Sequence, residues 1–297
     1  MGYLKKLKYV VFNALAFVPD TLMLKFQFGV KLHRKLNLKD PKRFSDKLQW
    51  YKIYCHDPKM LQCTDKYIVR SFVEERGCGQ YLNTLFQVCD SADKIDFDSL
   101  PDRFVIKTTD GGNGDNIVIC SDKSKLNLPT TVRRVNSWRN KHYERLSREW
   151  AYNGAKQSKV IVEKYIEDPQ SADGSIDDYK FLCYDGKFRF LWIDKNRYSN
   201  HKRGFWNEKL EFLKDVSSDH STFDEPPVLP SNIEEMIAVA EKLSAGFPFA
   251  RVDLYNIGGQ IIFGEITFYP WSGYVRFTPD SFDFELGKYF KLPEIQK

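Results

Sequence analysis

The chain has 297 residues, with 45 Lys and Arg against 40 Asp and Glu and a formal net charge of +5. That length excludes a disulfide-stapled miniprotein, and 42% apolar with 29% charged residues excludes a chain disordered over most of its length. A mild excess of basic residues, read as spread over the whole chain, is not the concentrated patch of a nucleic-acid binder.

The six cysteines, Cys55, Cys63, Cys78, Cys89, Cys120 and Cys183, form no Cys-x-x-Cys pair and have no His at ligand spacing. They read as buried thiols of a reducing cytoplasm, not a zinc site. The aromatic share of 15% suits an aromatic core more simply than a ligand cleft.

At the amino end, residues 3–18 carry Lys5, Lys6 and Lys8 ahead of a short apolar stretch broken by Asn13 and closed by Pro19. No small-x-small cleavage site follows and no run of about 20 apolar residues exists, so neither a signal peptide nor a spanning helix is expected. Two readings remain: an amphipathic helix docked on its own domain, or a basic helix lying on an anionic membrane surface. The spacing of Leu4, Leu7, Val11 and Leu15 favours the first.

Further along, a helical segment starts at Ser45 with Lys47, Leu48 and Trp50, and Asp65 stands as an N-cap before Lys66, Ile68, Val69, Phe72 and Val73. After a turn-like boundary at residues 96–101 the pattern changes to short strands at 104–107, 117–120 and 160–163, with a polar helix over 130–150 between them. Segments 178–184 and 187–193 flank Asp185-Gly186, a tight hairpin turn. A helix over 231–245 precedes a second hairpin, 250–255 and 260–266, turning on Gly258-Gly259. The order predicts an α+β chain in three parts: a mostly helical region over 1–100, a lid with a glycine loop over 101–165, and an antiparallel sheet domain over 166–297.

The most chemical stretch runs from Phe104 to Cys120, where Lys107 ends one strand and Gly111, Gly112 and Gly114 occupy the loop before the next. Glycines let successive backbone N–H groups approach an anion, and a lysine adds a point charge to the same phosphates. This is not a Walker loop, because the spacing differs and a strand follows rather than a helix. By itself it reads more simply as a glycine-rich hairpin that merely turns, with Lys107 solvated. Near the carboxyl end, Asp253 and Glu265 lie on the two strands of the second hairpin among apolar neighbours. An unpaired acid there would be costly, whereas two carboxylates on one face suit a hard cation that also binds nucleotide phosphates. The strand Val160–Glu163 ends in a hinge able to offer backbone groups to an adenine edge, although a plain core strand has the same pattern.

Lysine–glycine loop, Val-Ile-Val-Glu-Lys hinge, then Asp and Glu on paired strands: in that order these resemble the ATP-grasp superfamily. More narrowly, the chain resembles the TupA-like ATP-grasp family, associated with teichuronopeptide and other surface-polysaccharide biosynthesis. The likeness is carried by residues 41–50 (PKRFSDKLQW), Asp65-Lys66 with Val69-Arg70, residues 100–107 and 178–181, Asp194 with Arg197 and Arg203, and residues 247–253 through 264–270. It implies an ATP-grasp fold, a helical amino-terminal region with two α+β lobes clamping ATP.

The resemblance also implies roles. Lys66 and Lys107 match the nucleotide-contacting lysines, Gly111, Gly112 and Gly114 the mobile phosphate loop, and Glu163, Lys164, Tyr165 and Ile166 the adenine hinge. Asp253 and Glu265 match the Mg²⁺ ligands. Lys180 and Arg203 match further phosphate or acyl-phosphate contacts, catalytic together with Lys107. Thr267 stands where many relatives have a metal-binding Asn, and Asp110 and Asp115 bring negative charge to the loop.

Substrate contacts are expected from Asp194, Arg197, Trp271, Ser272 and Gly273, with His201, Trp206 and Tyr274 nearby; the aromatics equally suit a core, and Trp206 fits one at least as well as the pocket. Arginine beside aromatic rings suits an anionic sugar. His33, His56, His142 and His220 read as surface residues.

The implied activity is an ATP- and Mg²⁺-dependent carboxylate–amine ligase of the cytoplasm, free or at the inner membrane face. Its partners would be a saccharide or lipid-linked saccharide acceptor and an amine, with no nucleic acid. A glycan kinase using the same nucleotide site and a non-catalytic nucleotide-binding component of a polysaccharide assembly complex are the alternatives. A glycosyltransferase ranks low, as no Asp-x-Asp motif sits in a strand–loop context.

Overall fold

The computed structural model describes residues 15, 17–110, 116–139, 147–152, 158–171 and 173–295. Four helices come first: α1 (Asp20–Leu32), α2 (Phe44–Tyr54), α3 (Pro58–Thr64) and α4 (Val69–Glu75). The Asp65 carboxylate accepts from the Tyr67 and Ile68 N–H groups at 2.8 and 2.9 Å, the capping role expected of it, although regular helix starts only at Val69.

A four-stranded antiparallel sheet follows, built from β1 (Leu85–Cys89), β2 (Phe104–Thr108), β3 (Ile117–Cys120) and β4 (Val160–Lys164) in the order β1-β4-β2-β3. Strand alternation sorts its side chains. Phe104, Ile106, Val118, Val160 and Val162 bury one face against Val135 and Trp138, at and just beyond α5 (Leu128–Asn136). Val105, Lys107, Ile161 and Glu163 are left on the other. α5 is shorter than the helix expected over 130–150, part of which lies outside the described residues, as does His142. β1 was not anticipated; it falls before residue 101 yet pairs with β4, so this sheet draws on chain assigned by sequence to the helical region.

The second sheet has five antiparallel strands in the order β7-β6-β5-β8-β9: β5 (Asp178–Tyr184), β6 (Lys187–Lys195), β7 (Lys202–Asn207), β8 (Phe249–Ile257) and β9 (Gln260–Thr267). Both hairpins form on the expected turns, with φ values of 51° and 71° at Asp185-Gly186 and 58° and 91° at Gly258-Gly259. Positive φ at both central residues is what a two-residue hairpin loop needs. On the rear face, Phe181, Val252 and Leu254 pack under α6 (Ile233–Ser244), which buries Ile233, Met236, Val239, Ala240 and Leu243 at helical spacing.

The front face has two halves. At one end Tyr184 and Phe249 join Phe44 of α2 and Phe290 in an aromatic cluster, while Phe190 and Phe205 pack on Phe282 of α7 (Ser281–Tyr289). The other half is ionic and faces the four-stranded sheet. Among the described residues, no helix is long and apolar enough to cross a membrane.

α2 and α7 are locked together at their ends. Asp283 accepts from Ser45 N and Oγ at 2.9 and 2.6 Å and from Arg34 at 2.6 Å. A Cβ on Gly287 would stand 2.2 Å from the Lys42 carbonyl oxygen and 2.9 Å from Phe44 N, so this contact admits no side chain. Gly287→Ala therefore forces the two helices apart. We expect it to lower unfolding stability by about 1–3 kcal/mol, read as a lower urea midpoint at unchanged m-value.

Candidate active site

Alternation along five strands brings one row of charges to the front face. Lys180 stands opposite Asp253 on one side and Trp192 on the other, Asp178 opposite Asp194, Asp253 opposite Glu265, Arg251 opposite Thr267, and Asp194 opposite Arg203. A bulge at Gly264 separates the Asp253–Glu265 pair from the next, Leu254–Phe263. A Cβ there would lie 3.0 Å from the Asp253 carbonyl oxygen, so glycine is needed for the extra residue to fit.

The row is bonded throughout. Arg251 donates from Nε and Nη2 to the two Asp253 oxygens at 2.6 Å each, and Nη2 also reaches Glu265 at 2.7 Å and Thr267 Oγ1 at 3.0 Å. Lys180 Nζ donates to Asp253 at 2.7 Å and to Asp178. Asp178 also accepts from Arg197 at 3.0 Å. The Arg251 guanidinium lies 5.0 Å from the Trp192 ring centroid, within cation–π range.

The electrostatics follow from burial set against pairing. Burial raises the Asp253 carboxyl above its ordinary value, against the pull of Arg251 and Lys180. The Glu265 side chain is 48% exposed; lost hydration raises its carboxyl, but Arg251, Lys180, Lys66 and the Thr267 hydroxyl outweigh this and hold it at about 2. For Arg251, burial is outweighed by Asp253 and Glu265, and the guanidinium is pushed above its usual range.

Asp253, Glu265 and Thr267 offer hard oxygens on one face and so fit Mg²⁺. Among the described residues no group of three or more His, Cys, Asp or Glu could hold a metal. Two carboxylates without a third suit the ion that completes its shell with phosphates and water.

The four-stranded sheet supplies lysines from the opposite side. Lys107 Nζ donates to Glu163 at 2.9 Å, and Arg70 stands 3.7 Å from the other Glu163 oxygen. The Lys66 N–H donates to the Thr109 carbonyl at 3.1 Å, pinning Lys66 to the end of β2. Burial lowers its ammonium pKa; Glu265 pulls it up, Lys107 pushes it down, and Asp110 and Asp65 pull it up. Lys66 thus lies within the fields of both Glu265 and Lys107, although the three come from separate elements. Asp110 accepts from Ser158 Oγ at 2.6 Å. Gly111, Gly112, Gly114 and Asp115 lie outside the described residues. The hinge residues Lys164, Tyr165 and Ile166 border a cavity of about 280 Å³ shared with Tyr81, Thr84 and Ile262. Ile262 sits opposite Tyr255, on the front face.

At the far end, Arg203 donates to Asp194 from Nε at 2.6 Å and Nη2 at 3.1 Å, and also to Asp219. His201 lies 3.0 Å from Asp194, and its ring is tilted against that of His220 at 3.8 Å between centroids. His220 is half-buried, not the plain surface residue expected. Burial would raise the Asp194 carboxyl, but Arg203, Lys180 and His201 together hold it well below the usual carboxylate range.

Trp271 stacks on Trp192 at 4.1 Å and lies 5.3 Å from the Arg203 guanidinium. It opens a turn in which Trp271, Ser272 and Gly273 all have positive φ, 52°, 54° and 67°. Strain at two non-glycine residues is held by α2: Gln49 donates to the Ser272 carbonyl at 2.9 Å, and the buried Lys52 to the same oxygen at 2.8 Å. Gly273 itself packs on Gln49 and Leu48, where a Cβ would meet Gln49 Nε2 at 2.4 Å. The structure therefore makes it part of the turn's support.

Trp206 takes the core position and not the pocket, the alternative its sequence context also offered. It lies on the rear face with Phe212 and Phe223, because β7 alternation sends Arg203 and Phe205 to the front and Trp206 away. Cys55 and Cys89 are half-buried, while the other four thiols are buried and all six are free. The sequence reading assigned no role to Arg251, Asp178 or Trp192. Their signal was parity, each standing two residues from an identified site residue on the same strand.

The TupA-like ATP-grasp model matches residues 46–291. The chain belongs to the TupA-like ATP-grasp family. No curated protein matches it. Solved structures similar to it include D-alanine–D-alanine ligase from Bacillus anthracis, at 20% identity over 69% of this chain and 57% of that one, TM-score 0.43. An L-amino acid ligase from Bacillus licheniformis is 19% identical over 73% and 46%, TM-score 0.43. D-Alanine–D-alanine ligase from Helicobacter pylori is 15% identical over 84% and 68%, TM-score 0.48. The chain spans about half the length of the first two.

Asp194 gives a pH test. Its pKa is lowered on folding, so its stabilisation is complete above the unfolded value near 3.9 and is lost as pH falls through that range toward the folded pKa. Asp194→Asn, which leaves Arg203 buried beside a neutral amide, is expected to cost about 3–5 kcal/mol at neutral pH. In denaturant melts the gap from wild type should narrow steadily as pH falls below about 4.

Proposed function

We propose that this TupA-like ATP-grasp protein is an ATP-dependent carboxylate–amine ligase acting in surface-polysaccharide biosynthesis, with a uronic-acid-type carboxylate and an amino compound as substrates. The observation that carries the reading is the opposition of two charge sets: Lys66 and Lys107 on one side, and Asp253 and Glu265 with Arg251 and Lys180 on the other, with Lys66 inside the field of Glu265.

In the proposed reaction the base lies in the cavity at Lys164–Ile166, and the triphosphate runs from there toward the Asp253–Glu265 pair. Mg²⁺, held by these two carboxylates with Thr267 alongside, would neutralise phosphate charge. Lys66 and Lys107 bind phosphate oxygens from the other side, Lys107 exchanging Glu163 for the nucleotide. The γ-phosphoryl group passes from ATP to a substrate carboxylate oxygen, breaking the bond to the β-phosphate oxygen and releasing ADP. The amine then attacks the acyl carbon, expels phosphate and loses a proton, leaving an amide, ADP and phosphate. Lys180 and Arg251 stabilise charge at the transferring group because they are already oriented by Asp178, Asp253 and Glu265 and need little reorganisation. The acceptor lies toward Arg197, Arg203 and Trp271, where an indole face beside guanidinium groups suits an anionic pyranose. Ser272 bounds this end, and Asp194 orients Arg203.

The test is incubation with Mg·ATP and a panel of uronic acids paired with amino acids, following ADP and identifying the product. Amide with free phosphate is expected, and only when both substrates are present. A phosphorylated saccharide formed without amine would instead establish a kinase. Asp253→Asn should reduce turnover at least about a hundredfold; turnover unchanged by it would overturn the assignment of that residue.

A further inference from the structure

α1 is apolar on two sides. Leu24, Phe28 and Leu32 bury the inner one with Leu36. On the outer side Leu22, Phe26 and Val30 recur every fourth residue and are 57%, 64% and 57% exposed, and Phe17, just ahead of the helix, is 82% exposed. One exposed leucine is ordinary. A row of large apolar side chains at helical spacing, opposite a face that is already buried, marks a surface that meets a second apolar medium.

Charge identifies that medium. Residues 1–43 contain ten Lys and Arg and two Asp; since the chain as a whole carries +5, residues 44–297 carry −3. The basic excess is therefore gathered at this end and not spread along the chain. Lys25, Lys31, Lys35 and Lys39 are exposed, and both acids are paired, Asp20 with Arg148 and Asp40 with Lys42. The sequence ahead of α1 adds Lys5, Lys6 and Lys8 without an acid.

We propose that the outer face of α1 docks on an anionic phospholipid bilayer, with Leu22, Phe26 and Val30 entering the interface and the surrounding lysines meeting the headgroups. Exposed apolar side chains flanked by lysines bind such a surface through both terms at once. A second copy is a poor occupant, because a two-fold contact would set two strongly basic ends against each other. The proposal extends the membrane reading from residues 3–18 to α1 and does not depend on the nucleotide chemistry.

The experiment is co-sedimentation of the full chain, without nucleotide, with vesicles of phosphatidylglycerol and phosphatidylcholine and with vesicles of phosphatidylcholine alone. Binding is expected to the first and not the second, and to weaken as salt rises. Replacing Leu22, Phe26 and Val30 together by Ser should cut the partition coefficient at least about tenfold with unchanged thermal unfolding, since these side chains are exposed. Lys25→Glu with Lys35→Glu should weaken binding to the anionic vesicles only. Failure to bind anionic vesicles, or binding that the triple variant retains, overturns the proposal. So does a dimer that the triple variant converts to monomer, or a lower unfolding temperature in that variant, because each would mean that protein covers the face.

Discussion

Arg251 sits between Asp253 and Glu265 with one nitrogen within 2.7 Å of both carboxylates. Asp253 is 2% exposed, and an ionised carboxylate so far from water survives only beside a cation. That requirement propagates across the sheet. Lys180 compensates Asp253 and Asp178 together, Arg197 shares Asp178, and Arg203 compensates Asp194. Asp178, Asp194 and Asp253 are each held from more than one side. The arrangement costs desolvation that an apolar face would not, and in exchange it leaves cationic side chains oriented before any anion arrives.

The same economy explains why the ionic half of the face is open. Toward the Tyr184 and Phe249 ends of β5 and β8 the front side chains are aromatic and are covered by α2 and α7. Toward the Asp178 and Asp253 ends the face is charged, and no apolar helix could cover it without stripping water from ions. What approaches instead is another charged surface, the Lys107–Glu163 face of the four-stranded sheet with Lys66 tied to its edge. Two facing surfaces, each carrying paired ions, can exchange those partners for a polyanion and its metal. Helix α2 serves both regions: Phe44 and Tyr51 fill the aromatic half, while Gln49 and Lys52 hold the strained turn that presents Trp271.

The hairpins at Asp185-Gly186 and Gly258-Gly259 were plain in the sequence, because turn chemistry is local and only a few residues accept positive φ in succession. Strands β2 to β4 were bounded correctly to within a residue, and Asp253 and Glu265 were legible as acids on paired strands, but counting across the two-residue turn would put Gly264 opposite Asp253, and only the bulge there brings Glu265 into register. Strand β1 escaped notice because its partner β4 lies some seventy residues further on, and pairing at that separation leaves no local pattern. β7 escaped for a related reason: Lys202–Asn207 mixes basic, glycine and aromatic residues whose alternation has meaning only once the neighbouring strand is known. Trp206 was drawn toward the pocket by its chemistry, and strand parity sent it to the rear.

By itself the sequence determined the family, the turn positions and the chemical inventory of lysines, acids and hinge, because these depend on residue type and short spacing. Only the tertiary structure decided which charges meet. That Arg251 bridges the acid pair, that Asp194 is clamped by Arg203 and His201, and that Gly273 supports a turn all result from register between distant strands and helices. A side chain's partner is set by what packs across from it, and no spacing within one segment encodes that.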